Sequence, residues 1–315
     1  MAPSDSAVLV TGANGFVGSH TVMYLESLGY RVVPADVLPR SHNLSLLAIN
    51  TPTTCFDATD ATAFNDICRR EGVTHIVHLA YPGQGRDADI LNFCVQAMRN
   101  ILEAASELRM KRVVFASSGA VYGRLRTPRG LILESDTVPL HPAFLYRSVK
   151  LLGEWMGDLH AQHSGTRFVA LRLASVYGPG VAIGMGEALK QGILGRPCRP
   201  YLTRSPVDDP IHASDAARAI QIACFCENPA SRAYNIGAGA PCSDEDMARA
   251  IRRHLPELAF ELGKHHDAAA QTFRQRDIMD TTLARKELGF VPEYDLDSGI
   301  AALAQWLRTF RDRLN

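Results

Sequence analysis

A tyrosine and a lysine four residues apart are the strongest candidates for chemistry in this sequence. Tyr146 and Lys150 belong to the run Tyr-Arg-Ser-Val-Lys, and a spacing of four residues places both side chains on one face of a helix. A nearby ammonium group stabilises a phenolate and lowers the pKa of a tyrosine from its usual value of about 10. Such a tyrosine can take the proton of a secondary alcohol or return it, so the pair predicts acid–base chemistry at a carbinol.

A glycine-rich turn near the N-terminus predicts a phosphate-binding cradle. The apolar run 7–11 leads into Gly12-Ala-Asn-Gly15-Phe-Val-Gly18, and a helical pattern follows. Gly12 permits a tight turn, Gly15 lets backbone N–H groups approach a pyrophosphate, and Gly18 lets the helix pack closely on the strand. Asp36 ends the second predicted strand, where a carboxylate accepts hydrogen bonds from ribose hydroxyls and repels a 2′-phosphate. The pattern therefore predicts NAD as the cofactor.

A parallel sheet is needed to bring these groups together. Short β-branched runs alternate with amphipathic stretches, which is typical of βαβ units, and the runs are apolar enough to be covered by helices on both faces. We therefore expect an α/β fold with a Rossmann-type doubly wound parallel sheet. The predicted strands are 7–11, 31–35, 75–79, 113–117, 168–173 and 233–236, and the predicted helices are 16–28, 61–70, 89–108, 144–160, 215–225 and 298–310.

A change in glycine and proline content after residue 178 indicates a second, smaller lobe. Glycine becomes frequent between residues 180 and 195, and Pro197 and Pro200 interrupt any long element, so we expect loops and short helices there. The predicted division gives a cofactor domain and a smaller α/β C-terminal lobe that binds substrate. The cofactor domain spans 1–178, with 206–236 returning to it, and the substrate lobe spans 179–205 and 237–315.

Composition argues against several classes of partner. The 315 residues carry 33 Lys+Arg and 33 Asp+Glu, so the formal net charge is zero. Lys and Arg form no basic cluster, and a nucleic-acid partner is therefore not expected. The sequence contains no run of about 20 apolar residues, so no membrane span is expected. The first residues lack the features of a secretory signal. The seven cysteines form no Cys-x-x-Cys pair, no His-x-x-x-His pair is present, and His160 and His163 have no third ligand beside them in the sequence. We therefore expect reduced thiols, a cytoplasmic location and no metal.

Taken together, the motifs resemble those of the extended short-chain dehydrogenase/reductases, specifically the NAD-dependent epimerase/dehydratase group. The resemblance covers nearly the whole chain. The matching segments are 11–18, 57–60, 78–80, 117–123, 146–150, 171–179, 211–215, 234–237 and 280–292.

The resemblance implies a role for each residue that matches a family motif. Tyr146 would be the general base and acid, Lys150 would hold the nicotinamide ribose and tune Tyr146, and Ser118 would hydrogen-bond the reacting oxygen, a role that Ser117 could share. The residues expected to bind NAD are Gly12, Asn14, Gly15, Phe16, Val17, Gly18, Asp36, Asp57, Ala58, Leu79, Ala80, Ser117, Tyr146, Lys150, Ala174 and Val176. Those expected to contact substrate are Ser118, Ser175, Arg204 and Arg276. The resemblance also implies a homodimer built from the helices 89–108 and 144–160.

Departures from the family's pattern narrow the expected chemistry. Dehydratases and decarboxylating members carry acids just before Val-Tyr-Gly, and here those positions are Gly119 and Ala120, which cannot transfer a proton. Asp208 stands where nucleotide-sugar enzymes of the family usually carry an arginine that grips a diphosphate, and an acid there would repel that group. Cys94 and Ser175 each replace an asparagine that is frequent in the family. Dehydration and decarboxylation are therefore disfavoured.

Three functional hypotheses follow. The leading one is an NAD-dependent epimerase that acts on a sugar or nucleotide-sugar carbinol through a transient keto intermediate. The alternative is a net NAD-dependent dehydrogenase or reductase of a non-nucleotide sugar or another secondary alcohol, which Asp208 favours. The third is a non-catalytic NAD(H)-binding sensor, which the retention of Ser118, Tyr146 and Lys150 argues against because function resides in the site and not in the fold.

Overall fold

Seven strands form the main sheet, and every neighbouring pair is parallel. The computed structural model describes residues 6–42, 44–136, 145–181, 184–198, 208–227, 229–230, 232–260 and 276–314. The strands of the sheet are β1 (Ala7–Thr11), β2 (Arg31–Asp36), β3 (Thr54–Cys55), β4 (Val73–His78), β5 (Arg112–Ser118), β7 (Phe168–Leu173) and β10 (Ala233–Ile236). Their spatial order is β10-β7-β5-β4-β1-β2-β3, so the chain winds outward in both directions from β1 and β4.

Helices and short two-stranded ladders complete the described part of the chain. The helices are α1 (Phe16–Ser27), α2 (Ala61–Arg70), α3 (Asp87–Glu107), α4 (Leu145–Ser164), α5 (Gly184–Ile193), α6 (Ala213–Phe225), α7 (Asp244–His254) and α8 (Leu296–Thr309). One ladder pairs β6 (Leu131–Ile132) with β11 (Ile278–Met279), and another pairs β8 (Val176–Tyr177) with β9 (Ile211–His212). Single helical turns occur at 44–46, 119–122, 284–288 and 311–313.

Two hydrophobic clusters cover the two faces of the sheet. Along β5, Val114 and Ala116 belong to the cluster that includes residues of α1 and α6, whereas Val113 and Phe115 belong to the cluster that includes residues of α2 and α3. This alternation is what the period of two in a strand requires when both faces are buried. The predicted α/β fold with a doubly wound, Rossmann-type parallel sheet is confirmed.

A third hydrophobic cluster lies among α5, α7 and α8. It contains Leu189, Ile251 and Leu303, all of which are almost fully buried. Between residue 178 and α8 the sequence predicted loops and short helices, the helix 215–225 and the strand 233–236. It missed α7, although Ser243 and Asp246 form a capping box at its start. The division of the chain into two lobes stays a prediction.

Some helices and strands begin or end at residues other than those predicted from the sequence. The helix predicted over 144–160 continues to Ser164, where Gly165 in the left-handed region (φ +70°) ends it. Phe144 lies outside the described residues. The helix predicted from 89 begins at Asp87, and the strand predicted over 75–79 is Val73–His78. The short strand β3 was not predicted, because two residues carry no periodic signal.

Two glycines let α4 lie unusually close to the sheet. A Cβ placed on Gly153 would lie 2.6 Å from the ring of Phe115 on β5, and one placed on Gly157 would overlap the ring of Phe168 on β7. Both glycines are buried at the interface between helix and sheet. The close approach positions the N-terminal turns of α4 over the end of β5. Among the described helices, none is long and apolar enough to cross a membrane.

Replacing Gly157 with Ala should destabilise the fold. The new methyl group must displace the Phe168 ring, and overpacking of this kind costs about 1–3 kcal/mol. The gain in helix propensity is at most about 1 kcal/mol. Urea denaturation should therefore show a lower midpoint for Gly157→Ala. Gly83→Ala is the control, because a Cβ there meets nothing within 4 Å. Equal midpoints for both variants would show that α4 does not depend on this contact.

Candidate active site

The turn between β1 and α1 has the shape of a phosphate cradle. Gly12 adopts φ +72°, and a Cβ on it would lie 2.7 Å from the backbone nitrogen of Ala80. A Cβ on Gly18 would overlap the carbonyl oxygen of Gly12. Gly15 is the N-cap of α1 and donates its N–H to the Gly12 oxygen at 3.1 Å. The backbone therefore reaches this geometry only with glycine at two positions, and it presents a helix N-terminus, where an anion binds favourably.

Asp36 fixes the far side of this turn. One oxygen of its carboxylate accepts the N–H of Asn14 at 2.9 Å, and the other accepts the N–H of Leu38 at the same distance. The Asn14 amide donates to the Leu38 carbonyl at 2.5 Å and accepts from the Thr53 hydroxyl at 2.7 Å. The sequence predicted a ribose contact for Asp36. The structure shows in addition that its carboxylate orders the loop around the predicted ribose site.

The other residues predicted to bind NAD lie mostly at the carboxyl edge of the sheet. Asp57 is exposed and caps the N–H of Thr59, whereas Ala58 is buried and its carbonyl accepts from Asn100 at 3.0 Å. The Leu79 N–H donates to the carbonyl of Thr11 at the end of β1. The remaining members stand at the start of α1 or directly after β4 and β7: Phe16, Val17, Ala80, Ala174 and Val176. Ligands of open α/β sheets bind at this edge.

Ser118 and Tyr146 meet at the end of β5. Ser118 is the last residue of β5, and Tyr146 lies in the first described turn of α4. Burial raises the pKa of Tyr146, and its hydrogen bond with Ser118 acts in the opposite direction. The Ser118 oxygen also accepts the N–H of Ala120 at 3.1 Å, which fixes the serine rotamer. The pair therefore brings two hydroxyl groups together at the carboxyl end of β5.

Lys150 is a buried cation beneath Tyr146. Its Nζ donates to the carbonyl of Ala116 at 2.7 Å and lies 5.0 Å from the ring centre of Phe115 and 5.6 Å from that of Tyr146. Burial lowers the pKa of Lys150 to about 8, while Cys94 and Glu154 oppose that change. Tyr81 contacts Tyr146 edge-on at 4.9 Å and lines a small cavity with Lys150 and Cys94.

Arg276 and Ser175, two of the predicted substrate residues, belong to one acidic cluster. Arg276 is buried, and its Nη2 lies 2.8 Å from Asp209 and 3.6 Å from Asp208. Ser175 donates to Asp208 at 2.6 Å. A Cβ on Gly119 would lie 3.1 Å from Arg276 Nη2, so the cluster borders the loop that follows Ser118. Arg204 lies outside the described residues.

Asp209 is fully buried within this cluster. Burial raises its pKa to about 6, and the neighbouring Arg276 guanidinium only partly opposes that change. From the sequence alone, Asp208 is expected to repel a diphosphate. The structure shows that Asp208 and Asp209 also neutralise Arg276.

Sequence reasoning missed a buried polar network behind the site. Glu154 on α4 binds Arg172 on β7 with an Nη2–Oε2 distance of 2.7 Å, and Arg172 donates to the hydroxyl of Tyr122 at 2.7 Å. Tyr122 in turn donates to Asn235 at 2.7 Å. Two signals were available in the sequence. Glu154 continues the spacing of four from Tyr146 and Lys150, and an arginine inside an apolar strand requires a buried partner.

Within the described ranges, no group of three or more His, Cys, Asp or Glu side chains is arranged to hold a metal ion. All seven cysteines are described, and none forms a disulfide.

Comparisons with known proteins agree with this geometry. Residues 8–237 match the model of the NAD dependent epimerase/dehydratase family. The chain belongs to this family. It is 26% identical over 345 residues to the UDP-glucuronate 4-epimerase 4 of Arabidopsis thaliana. The aligned region covers 96% of this chain and 75% of that protein. It is 25% identical to the bifunctional protein GAL10 of Kluyveromyces lactis, and it spans about half (48%) of that protein's length.

A solved structure extends the comparison to ligands. MoeE5, determined in complex with UDP-glucuronic acid and NAD, superposes with a TM-score of 0.80 and 26% identity, covering 96% of this chain and 99% of that chain. The glycine cradle of the present chain fits NAD, since a Cβ at Gly12 would clash with the backbone of Ala80 and one at Gly18 with the Gly12 carbonyl, so that only glycines allow the tight turn that leaves the helix N-terminus open to a pyrophosphate.

Replacing Gly12 with Ala should weaken NAD binding at least about tenfold, because the methyl group would push Ala80 away from the cradle and the backbone at φ +72° would be strained. Gly29→Ala is the matched control, since Gly29 has φ +79° but meets nothing within 4 Å. Isothermal titration with NAD measures both variants. If the two bind NAD equally well, the contact between Gly12 and Ala80 does not shape the cofactor site.

Proposed function

We propose that this chain is an NAD-dependent epimerase that acts on a sugar or nucleotide-sugar carbinol through a transient ketone. The observation that carries the proposal is the meeting of Ser118, Tyr146 and Lys150 at the carboxyl edge of the sheet, where the glycine cradle also lies. Membership of the family and the 4-epimerases among its relatives support it.

The chain's own residues divide the work at the carbinol. NAD, held at the glycine cradle of Gly12, Gly15 and Gly18, would supply the hydride acceptor and donor for the carbinol carbon. Ser118 holds the substrate oxygen by a hydrogen bond next to the Tyr146 hydroxyl. Tyr146 takes the hydroxyl proton in the oxidation and gives it back in the reduction. The buried Lys150 cation stabilises the phenolate between these steps, and the aromatic side chain of Tyr81 helps to exclude water.

The loop after Ser118 favours this chemistry over elimination. Gly119 and Ala120 occupy the first positions of the helical turn 119–122, and neither side chain can give a proton to a departing hydroxyl group. The described side chains nearest to Gly119 are Met279 and the Arg276 guanidinium, and neither transfers protons at ordinary pH. Residues 119 and 120 of this loop therefore supply no acid to drive loss of water.

One observation favours a net dehydrogenase of a non-nucleotide sugar or another secondary alcohol as the second candidate. Arg276 is already paired with Asp208 and Asp209, so it offers little positive charge to a diphosphate. A substrate without a diphosphate would avoid the charge repulsion from Asp208. The same Tyr146 chemistry would then stop at the ketone or lactone.

An absorbance assay separates these two candidates. The enzyme is incubated with NAD⁺ and either UDP-, GDP- and dTDP-sugars or free sugars and sugar acids, and NADH is followed at its absorption band. Interconversion of a nucleotide sugar without NADH accumulation supports the epimerase and rules out the dehydrogenase. Formation of stoichiometric NADH with a free sugar supports the dehydrogenase and rules out the epimerase.

Tyr146→Phe should retain NAD binding and lose at least about 10²-fold in turnover, because the variant keeps the ring and loses the hydroxyl that moves the proton. Titration calorimetry and the same turnover assay measure both quantities. A sensor would retain its function in this variant. Full turnover by Tyr146→Phe would therefore overturn the assignment of the general base.

We also propose a cytoplasmic homodimer, together with the two-lobe division given above. In the described structure α3 and α4 pack side by side, and apolar side chains on them face solvent. Trp155 is 61% exposed, and Leu91 and Leu159 are each 42% exposed. Exposed apolar side chains of this size on neighbouring helices favour contact with a second copy. Seven cysteines without a disulfide are compatible with a reducing compartment.

Trp155→Asp should convert the dimer to a monomer, since a carboxylate would have to be buried in the interface. Light scattering after size-exclusion chromatography measures the mass. Val291→Asp is the control, because Val291 is 47% exposed and lies outside α3 and α4. A wild-type protein that elutes as a monomer contradicts the proposal.

A further inference from the structure

The carboxylate of Glu154 joins α4 to two strands at once. Ser117 on β5 and Arg172 on β7 are paired in register, and both donate to it. Arg172 binds in a forked manner, with Nε 3.0 Å from Oε1 and Nη2 2.7 Å from Oε2. The side chains of Arg172 and Glu154 are 9% and 12% exposed. Charge-assisted hydrogen bonds are strong when they are shielded from solvent in this way, and they fix the relative positions of the groups that they join.

The attachment lies about one helical turn from Lys150 and about two turns from Tyr146. Tyr146, Lys150 and Glu154 follow one another at intervals of four residues, and so they share one face of α4. Lys150 is bonded to the carbonyl of Ala116, and Glu154 is bonded to the side chain of Ser117. Two consecutive residues of β5 thus hold two consecutive turns of α4.

The partner of Glu154 is itself held from the other side. Arg172 Nη1 donates to the Tyr122 hydroxyl at 2.7 Å and to the Glu134 carbonyl at 3.1 Å. Tyr122 passes the attachment on to Asn235 of β10. Arg172 therefore cannot follow α4 if the helix shifts, and Glu154 meets a fixed point of the sheet.

We propose that Glu154 is a positioning residue of the active site, which fixes the height and rotation of α4 over β5 and thereby places Tyr146 against Ser118. No bond is made or broken at Glu154. The consequence for turnover rests on the proposed function, whereas the consequence for Lys150 does not depend on any substrate.

The groups that surround Lys150 give the proposal a second readout. Burial lowers the pKa of Lys150, and the Cys94 thiol from α3 and the Glu154 carboxylate oppose that change. His78 of β4 is buried beside Lys150. Its pKa is lowered to about 3, so the imidazole is neutral and adds no charge. The aromatic neighbours are Tyr81, Phe115 and Tyr146. Replacing the Glu154 carboxylate with an amide must therefore lower the pKa of Lys150, so that its proton is lost at a lower pH.

The experiment compares Glu154→Gln with Asp158→Asn. Asp158 lies one turn further along α4 and pairs with Arg232 at the surface, so its variant removes an equivalent charge without touching the site. The chain has lysines at 111, 150, 190, 264 and 286, so ¹³Cε-lysine labelling gives a simple NMR spectrum, in which Lys150→Arg assigns the signal of interest.

For Glu154→Gln we expect the Lys150 signal to titrate about 0.5 pH unit or more below the wild-type value. We also expect kcat to fall at least about tenfold, with KM within about threefold, because a misplaced Tyr146 affects the chemical step more than binding. The alkaline limb of the pH profile should move to lower pH with the NMR titration. Asp158→Asn should match the wild type in every measurement.

Wild-type kcat and an unchanged Lys150 titration in Glu154→Gln would overturn the proposal. If that variant does not fold, Glu154→Asp decides, since it keeps the charge but withdraws the carboxylate by one methylene group. It should lower kcat while leaving the Lys150 titration in place, and wild-type kcat in this variant overturns the positioning role. If the wild type turns over none of the substrates, the proposed function fails, and the NMR titration alone supports or overturns the role of Glu154.

Discussion

The burial of one positive charge organises this site. Lys150 is 5% exposed, and an ammonium group in such a place is tolerated only when its protons are bound and opposite charge lies near. The Ala116 carbonyl and the rings of Phe115 and Tyr146 surround it, and the Glu154 carboxylate lies one turn away. Burial raises the pKa of Tyr146, in contrast to the lowering that the spacing of Tyr146 and Lys150 predicts. In the chemistry proposed here, the neighbouring cation reduces the cost of forming the phenolate. The chemistry proposed here therefore depends on how α4 lies on the sheet.

That packing depends on small residues at the interface. Gly153 and Gly157 bring the axis of α4 so close to β5 and β7 that Lys150 and Glu154 reach the strand ends with their side chains buried. Gly12 and Gly18 do the same for α1 at the other side of the cleft, where the backbone and not a side chain receives the anion. A chain with zero formal net charge can in this way bind a dianionic cofactor without a basic patch.

The sequence predicted the features that depend on local spacing. The glycine turn, Asp36 at the end of β2 and the pair Tyr146 and Lys150 are each contained in short segments, and the doubly wound sheet follows from the alternation of apolar runs with amphipathic ones. Features that depend on distant pairing were not predicted. The bond between Glu154 and Arg172 joins positions 18 residues apart, and Arg276 meets Asp209 across 67 residues.

Such pairings depend on the register between strands and lobes, which no periodicity records. They change the interpretation of single residues. Asp208 by itself indicated repulsion of a diphosphate, whereas in the structure it shares Arg276 with Asp209 and accepts the Ser175 hydroxyl. The charge around the predicted substrate residues Ser175 and Arg276 is therefore a property of the cluster. The same holds for Lys150, whose protonation follows from groups on α3, β5 and α4 together.

The central claim is that hydrogen leaves the carbinol carbon as a hydride and returns to it, while Tyr146 exchanges only the hydroxyl proton. Running the sugar interconversion in D₂O and examining the product by NMR tests this claim most directly. We expect the carbinol carbon of the product to retain its original hydrogen. Deuterium from the solvent at that carbon would show that a proton and not a hydride is removed there, which contradicts the account.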